Sequence, residues 1–434
     1  MMTVVEKPVF DFQRYQELFS VRQNRGVNGL TPEAALERVR AFGLPTRHHE
    51  LWRYFNTAFF NKTDWHGPVK PLDFELTCHA LYQSFAARYT GYIIIFYNGY
   101  PWMLPATAAA LQAEGVCHWV SPGGTWGGAS DVPSTIRWPE RYENVMTCLT
   151  TGLMTHGFWL AIPPAQVLHQ PILFFHINDV ADGSAVFPRM QITVGEDSRC
   201  DLYEYYQTDS DMLSVPLLDI ELAPRAQLRY GKRVRGQAGY HVSQMRIAQY
   251  EQSQSVCIYD GEGQSAIRQD IAVRLCGREA QTTWYGMGHA ERTQVLDVNM
   301  QIEHVASHTR SWQRIHALAE AEGTCTFLGR VIVPRGVTDI KAYEVNRNLV
   351  MGANARVNTR PQFEIEADDV VCSHGATVGD LDPHALFYLQ SRGFSEQQAR
   401  ELLKRAFVQE IEAILYQDEF LGLFWRAKEY LDAE

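Results

Sequence analysis

The residues best placed to do chemistry lie between Asp368 and Leu389, in the segment DDVVCSHGATVGDLDPHALFYL. If Asp368–His374 forms a strand, alternate side chains share a face, so Cys372 and His374 lie side by side. A thiol and an imidazole that converge suit iron or zinc. They make half a site, because a closed metal or cluster site uses about four donors, and the others would come from elsewhere or from another chain. On the residues alone the preferred interpretation is a buried cysteine beside a core histidine, because free cysteine is among the most buried residue types.

The chain that leads to this segment is typical of strands from about residue 150 to 372. Apolar residues alternate with polar ones in short runs, as in Leu296, Val298, Met300 and Ile302, and small-residue turns separate the runs. No helical pattern fits between them, which argues against βαβ units. A β-sandwich or a β-helix remains, and more than 200 residues of strand and turn favour the β-helix, although no strict repeat is visible.

Helical patterns flank this region. Before it, Asp11–Phe19 has helical spacing, and Thr31-Pro32-Glu33 starts a helix that Gly43 and Pro45 end. Tyr92–Tyr97 followed by Asn98-Gly99 predicts a strand and a turn, and residues 121–130 predict a loop.

After the strand region, Asp382-Pro383 predicts the start of a helix, and Ser395 to Gln398 predicts a capping box. An amphipathic helix over residues 396–415 follows, with a broad apolar stripe, and Phe420–Trp425 extends the apolar content.

Composition excludes several classes of protein. The chain has 434 residues, of which 46% are hydrophobic and 21% charged, so it is neither disordered nor a small disulfide scaffold. Its 39 basic and 50 acidic residues give a formal net charge of −11, which argues against nucleic-acid binding. No apolar stretch is long enough to cross a bilayer, and we see no secretion signal. Eight scattered cysteines without a CxxC pair are typical of reduced thiols, so a cytoplasmic protein is predicted.

Several motifs in the same order resemble the SufB/SufD family of iron–sulfur cluster assembly proteins. They are LPTRHHELWRY at Leu44–Tyr54, Asn346-Arg347-Asn348-Leu349, Thr359-Arg360-Pro361, and CSHGATVGDLD followed by LFYLQSRG, the form associated with SufD. The resemblance covers about residues 40 to 415 and is clearest from 300 on. One departure is Ala342-Tyr343-Glu344, where the resemblance leads us to expect a Gln-rich stretch.

The resemblance implies a mainly β protein with flanking helices, whose core is a right-handed parallel β-helix. It further implies a non-catalytic scaffold subunit that pairs with a SufB-like chain through the β-helix and docks on two copies of a SufC-like ATPase through its C-terminal helices. A transient iron–sulfur cluster would form at the SufB-like interface, where Cys372 and His374 occupy the implicated motif positions, completed as a metal site by the partner. The complex is also expected to bind a reduced flavin, for which no residue can be assigned.

We therefore expect an N-terminal helical and mixed domain at 1–148, a β-helix core at 149–375 and a C-terminal helical domain at 376–434. An isolated chain could form a homodimer through the surface that it gives to the SufB-like partner. Two alternatives stay open. A carbohydrate-active β-helix enzyme would need acidic residues clustered in one groove, and a self-sufficient metal-binding carrier would need a full ligand set in one chain.

Overall fold

The structure of the protein is a computed structural model, and it describes residues 32–62, 65–67, 70–122, 138–154, 156–180 and 182–415. The predicted helix at residues 11–19, the cap at residue 31, most of the loop at 121–130 and the apolar residues at 420–425 lie outside these ranges. In the described ranges the helices are α1 (Pro32–Phe42), α2 (Phe59–Lys62), α3 (Phe74–Ala86), α4 (Pro105–Ala113), α5 (Val145–Leu153), α6 (Pro383–Ser391) and α7 (Glu396–Leu415), with 3-10 turns at Glu50–Trp52 and Glu140–Tyr142.

Two sheets form the centre of the molecule. Their strands are β1 (Tyr92–Tyr97), β2 (Tyr100–Met103), β3 (Cys117–Pro122), β4 (His156–Ile162), β5 (Ile172–Asn178), β6 (Ala185–Val186), β7 (Arg189–Val194), β8 (Arg199–Thr208), β9 (Leu213–Ser214), β10 (Leu217–Leu222), β11 (Gln227–Gly236), β12 (Tyr240–Gln249), β13 (Gln254–Glu262), β14 (Ala266–Leu275), β15 (Gln281–Ala290), β16 (Val295–His304), β17 (Arg310–Glu320), β18 (Thr324–Val333), β19 (Ile340–Met351), β20 (Arg356–Ile365) and β21 (Val370–Gly379).

From β10 onward each strand pairs in parallel with the strand two positions away in the chain. One sheet runs β2-β1-β5-β8-β11-β13-β15-β17-β19-β21 and the other runs β20-β18-β16-β14-β12-β10-β7-β4-β3, with β6 and β9 beside it. The chain thus alternates between the sheets and winds into a solenoid of about 8 turns. The predicted parallel β-helix is confirmed, and the sandwich is excluded because each strand of the solenoid pairs in parallel with strands of the neighbouring turns. Only the pairs β1–β2 and β3–β4 are antiparallel among the described strands.

Alternation along the strands decides which side chains fill the solenoid. Leu296, Val298, Met300 and Ile302 on β16 all point inward and are buried, as their parity predicts. Their neighbours in the adjacent turns have the same parity, so inward side chains stack on one another along the axis. One continuous apolar core results, and it extends from β1 to β18.

A ladder of left-handed residues marks one corner of each turn. Six successive members are Asp197, Arg225, Gln252, Glu279, His308 and Asp339, and their φ angles lie between 51° and 63°. They are 28, 27, 27, 29 and 31 residues apart, and the N–H of each of the first five donates to a carbonyl in the corner of the following turn, at distances of 2.7 to 3.3 Å. This is the repeat that the sequence did not reveal, because the six residues share a backbone conformation rather than a residue type.

A buried ionic cluster interrupts the apolar core in the early turns of the solenoid. The Glu204 carboxylate on β8 accepts hydrogen bonds from the hydroxyls of Tyr206 and Tyr230, and His176 lies 3.4 Å away. Burial raises the pKa of Glu204, but the Lys232 ammonium and the hydrogen bonds outweigh it and lower the pKa to about 2. Burial lowers the pKa of Lys232 to about 8, against the opposing effect of Glu204. The pair is mutually dependent, because each charge compensates the other in an interior that solvates neither.

Helices cover the outer faces of the solenoid. Helix α1 packs against α5, and Gly152 allows the close approach because a Cβ there would lie 2.3 Å from the Leu36 side chain. Helix α3 packs on the ten-stranded sheet through Phe85, which stacks on Phe175 at 3.8 Å. Both predicted C-terminal caps are present. Asp382 accepts from the His384 N–H at 3.0 Å, and in the capping box the Ser395 N–H donates to Gln398 Oε1 at 2.9 Å while the Gln398 N–H donates to Ser395 Oγ at 3.2 Å.

The sheets extend beyond the expected core range at both ends. Strands β1, β2 and β3 lie before residue 149 and belong to the sheets, and β21 continues to Gly379. The division at 148/149 and 375/376 stays a prediction. Among the described residues, no helix combines the length and the apolar character needed to cross a bilayer.

The buried cluster yields a stability prediction. Replacing Lys232 with Met leaves the Glu204 charge without its cation, so the free energy of unfolding is expected to fall by about 3–5 kcal/mol. Urea unfolding followed by circular dichroism measures this. The double variant Lys232→Met/Glu204→Gln should recover much of the loss, because neither charge is then buried. A double variant as unstable as Lys232→Met alone would contradict the coupling.

Candidate functional site

The predicted site lies on the last turn of the solenoid. Strands β20 and β21 are the terminal strands of their sheets, and each pairs with one described strand, β18 and β19 respectively. Most of β21 is exposed. The backbone groups on its other edge pair with no described strand, and such an edge is a template for a further strand.

Cys372 and His374 occupy adjacent inward positions on β21. Cys372 is in register with Ala342 of β19, and His374 is in register with Glu344. Ala342 and Glu344 are both buried, so this parity faces the space between the two sheets. The expectation that the two side chains share a face of one strand is confirmed; their role as ligands stays a prediction.

Cys372 is half-buried against the apolar side chains of the last two turns. It packs on a cluster that contains Val331, Val333 and Ile340. Burial raises the pKa of the Cys372 thiol. The group is therefore mainly protonated near neutral pH, and a bound cation would be needed to favour the thiolate.

His374 is exposed and lies at the open end of the interior. Its ring contacts Phe363 of β20, with ring centroids 4.6 Å apart and planes at 58°. The aromatic contact orients the imidazole across the gap between the sheets. Within the described residues, no three His, Cys, Asp or Glu side chains already converge as a metal-binding group. Cys372 and His374 thus provide two donors of different softness at an open edge.

Glu344 is a polar residue behind the pair whose role the sequence did not reveal. Its side chain is 1% exposed, and neither carboxylate oxygen has a hydrogen-bond partner. Burial raises its pKa to about 7. The amide of Gln313, one turn further inward and in register, is also buried and unpaired. The signal that could have drawn attention to Glu344 is the departure from the expected Gln-rich stretch.

The asparagine motif braces the edge strand. Asn348 donates from Nδ2 to the carbonyl of Thr377 on β21 at 2.9 Å, and Asn346 donates to the carbonyl of Ile315 on β17 at 3.1 Å. Arg347, between them, points outward and binds Glu410 of α7 at 2.7 Å. One short motif therefore fixes both the site strand and the C-terminal helix.

The N-terminal motif packs along the eleven-stranded sheet from β14 to the terminal strand β20. Glu50 accepts from Arg360 of β20 at 2.6 Å. Trp52 lies over the guanidinium of Arg268, 3.8 Å from the ring centroid, and Arg268 is paired with Asp297 at 2.7 Å. Two motifs that are separated by 310 residues are therefore in contact at the terminal turn.

Helix α7 has an attached side and a free side. On the attached side, Phe407 contacts the His316 ring at 5.0 Å, and Lys404 lies 3.5 Å from Glu320. On the free side, Leu402 is 39% exposed and lies beside the exposed Phe394. The apolar stripe thus exceeds what the sheet covers.

The raised pKa of Cys372 can be tested by alkylation. We expect iodoacetamide to modify Cys372 slowly at neutral pH and much faster at alkaline pH, because the thiolate forms only above the ordinary pKa of a thiol. Peptide mass spectrometry follows the rate, and the exposed Cys117 is the internal control. Modification of Cys372 at neutral pH as fast as that of Cys117 would contradict the protonated state.

Comparison with known proteins identifies the family. Residues 175–407 match the family described as SUF system FeS cluster assembly, SufBD core domain. The chain is 25% identical over 417 residues to the iron–sulfur cluster assembly protein SufD of Escherichia coli (strain K12), which covers 93% of this chain and 92% of that protein. It is 29% identical over 282 residues to an iron–sulfur cluster assembly SufBD family protein of Synechocystis sp., covering 62% of each.

A similar SufBD family protein of Mycobacterium tuberculosis (strain ATCC 25618 / H37Rv) is 32% identical over 159 residues, which is 35% of this chain and 40% of that protein. The matched core domain spans β5 to α7 and includes the terminal turn with Cys372 and His374. Fold, motif order and sequence similarity agree: the chain belongs to the SufBD family of iron–sulfur cluster assembly proteins and is most like its SufD members.

Proposed function

We propose that the chain is a non-catalytic scaffold subunit of a SufBCD-type assembly complex, in which Cys372 and His374 help to hold iron or sulfur while a cluster is built. The observation that carries the proposal is the position of these two donors. They lie on the terminal strand of a solenoid, at an edge that no described strand covers. A second chain that pairs with this edge would bring its own donors to the same place.

The partner at this edge would be a SufB-like chain. Parallel strands β20 and β21 can each accept one more strand, so a solenoid of the same kind could continue both sheets. Val371 and Val378 of β21 are exposed apolar side chains that such a partner would cover. The same edges could pair two copies of this chain in isolation.

The C-terminal helices would dock on a SufC-like ATPase, present in two copies. Their free side carries exposed large apolar side chains, which are unfavourable in water and typical of a docking surface. These residues are Phe387, Tyr388, Phe394 and Leu402. The attached side of α7 would transmit movement of the docked ATPase to β17 and β19 through its contacts with His316 and Arg347.

In this complex the iron–sulfur cluster is cargo that is assembled and passed on. The eight cysteines are all free thiols in the structure, which fits the cytoplasm as the proposed compartment. A reduced flavin in the complex stays a prediction, and we assign none of the described side chains to it.

Complex formation is tested by co-expression with SufB-like and SufC-like subunits and affinity purification of this chain. We expect one SufB-like and two SufC-like chains to accompany it. Leu402→Glu should reduce the recovered ATPase by about tenfold or more, because it places a charge in an apolar contact. The matched control is Leu76→Glu on α3, an exposed leucine on a different helix. Equal losses in both variants, or recovery of this chain alone, would contradict the proposal.

The role of the site is tested in the assembled complex. His374→Ala should lower the rate of cluster assembly, measured by absorption of the forming cluster, while complex stoichiometry stays unchanged. His169→Ala is the control, because His169 is an exposed histidine in the turn between β4 and β5, outside the terminal turn. Unchanged assembly in a folded His374→Ala complex would refute the assignment of the site.

A further inference from the structure

The interior behind Cys372 and His374 is polar and unsatisfied. Unpaired inward polar atoms also occur elsewhere in the solenoid, as in the rings of His241 and Trp284, but the inward carboxylate of Glu204 accepts hydrogen bonds from two tyrosine hydroxyls. In the last turns, four inward side chains retain buried polar atoms without hydrogen-bond partners: Gln313, Glu344, Asn348 and Thr359. Such atoms cost free energy when they are unpaired, so a ligand that reached this end of the interior would satisfy them.

Glu344 is the strongest feature of this set because a carboxylate is the most costly group to bury unpaired. The residue is 1% exposed, and both of its oxygens lack partners. It is directly in register with His374 on the neighbouring strand, and the two point to the same side. Adjacent strands are about 4.8 Å apart, so the bases of the two side chains are within reach of one small ligand.

The position of the carboxylate depends on a glycine in the opposite sheet. A Cβ on Gly329 of β18 would lie 2.3 to 2.5 Å from atoms of the Glu344 carboxyl group. The carboxylate is therefore turned across the interior into the space that this glycine leaves. As the side chains stand, Glu344 does not form a three-donor group with Cys372 and His374. Rotation about its side-chain bonds would bring the oxygens back towards β21.

We propose that Glu344 is the third protein donor of the site at Cys372 and His374, and that it binds a divalent iron ion from the inner side. The proposal rests on the proposed function and deepens it, because this chain then supplies three donors rather than two. A thiolate, an imidazole and a carboxylate form a mixed set that accepts ferrous iron. Cys372 is the diagonal neighbour of Glu344 on the adjacent strand, and their backbones are about 7–8 Å apart. The two side chains can both reach one ion placed between them.

Binding of the iron ion would also provide a positive charge near Glu344 and Cys372, which have no cation beside them in the described part of this chain. A divalent cation balances the buried carboxylate of Glu344 and favours the thiolate of Cys372. The proton of the Cys372 thiol is released to solvent on binding, and no electron is transferred. The partner chain would complete the coordination from the open side.

The experiment is an anaerobic titration of the reduced full-length chain with Co²⁺, a spectroscopic substitute for ferrous iron. The readout is the thiolate-to-cobalt charge-transfer absorption, which must disappear in Cys372→Ser if it reports this site. We expect Glu344→Gln to weaken binding about tenfold or more. Glu344→Asp, which keeps the charge, should bind more tightly than Glu344→Gln. The matched control is Glu364→Gln, because Glu364 lies on the outward parity of β20 in the same turn and is exposed.

A thermal unfolding measurement separates a ligand from a structural residue. Glu344→Gln keeps the shape and removes a buried carboxylate, so the melting temperature without Co²⁺ should stay the same or rise, while Co²⁺ stabilises it less than the wild type. A lower melting temperature without Co²⁺ together with unchanged Co²⁺ affinity would overturn the proposal and assign Glu344 a structural role.

The remaining outcomes distinguish this proposal from the proposed function. If Cys372→Ser and His374→Ala weaken binding and Glu344→Gln does not, the inner donor is refuted and the two-donor site stands. If Glu344→Gln weakens Co²⁺ binding but Cys372→Ser and His374→Ala do not, a site shared by the three residues is refuted. If the wild-type chain binds no Co²⁺, a three-donor site in this chain is refuted, whereas assembly of the complex with its partners is unaffected.

Discussion

The structure depends on one constraint: each strand of the solenoid must pair with the strand one full turn away. This pairing satisfies the backbone of every interior turn, and it stacks inward side chains of equal parity on each other. It cannot satisfy the last turn from within the described chain. The exposed edge of β21 is thus a direct result of the fold, and Cys372 and His374 lie on this strand. The interior turns therefore stabilise the fold, whereas the terminal turn carries the candidate site.

The same constraint explains why the surroundings of two buried carboxylates, Glu204 and Glu344, differ. In the early turns of the solenoid, Glu204 has a turn on each side, and these supply His176, Lys232 and the Tyr230 hydroxyl. Near the end, Glu344 has β17 on one side and the exposed β21 on the other. A group at the end of a stack depends on what is added there. Its lack of partners therefore has a structural cause, which makes it informative about a ligand.

Much of the fold could be predicted because it depends on local patterns. A few consecutive residues determine the alternation of apolar and polar side chains on β16, the strand and turn at Tyr92–Gly99, and the helix cap at Asp382. The shared face of Cys372 and His374 followed from the two-residue period of a strand. What could not be predicted depends on register between distant turns. The contact of Glu344 with Gly329 requires knowing how the two sheets face each other.

Other features escaped prediction for similar reasons. The ion pair between Glu50 and Arg360 joins residues 310 positions apart, so each looked like an isolated motif residue. The corner ladder is a repeat of backbone conformation, and its members have unlike side chains, from Asp197 to His308. Periodicity of conformation leaves little trace in composition, so the solenoid could be inferred from the length of the strand region and from the resemblance, but not from a visible repeat.

The corner ladder also constrains how such a chain can change in evolution. Each left-handed corner donates its N–H to the corner of the following turn, and the spacing between corners is 27 to 31 residues. Inserting a single residue within a strand would reverse the inward and outward faces beyond it, whereas inserting a whole turn would leave every stacked contact intact. Homologues should therefore differ in core length by complete turns or within exposed corners. At the open end, Asp369 accepts the N–H of Asp339 with its side chain, in place of the carbonyl of a further corner, so this aspartate marks where the series of turns stops.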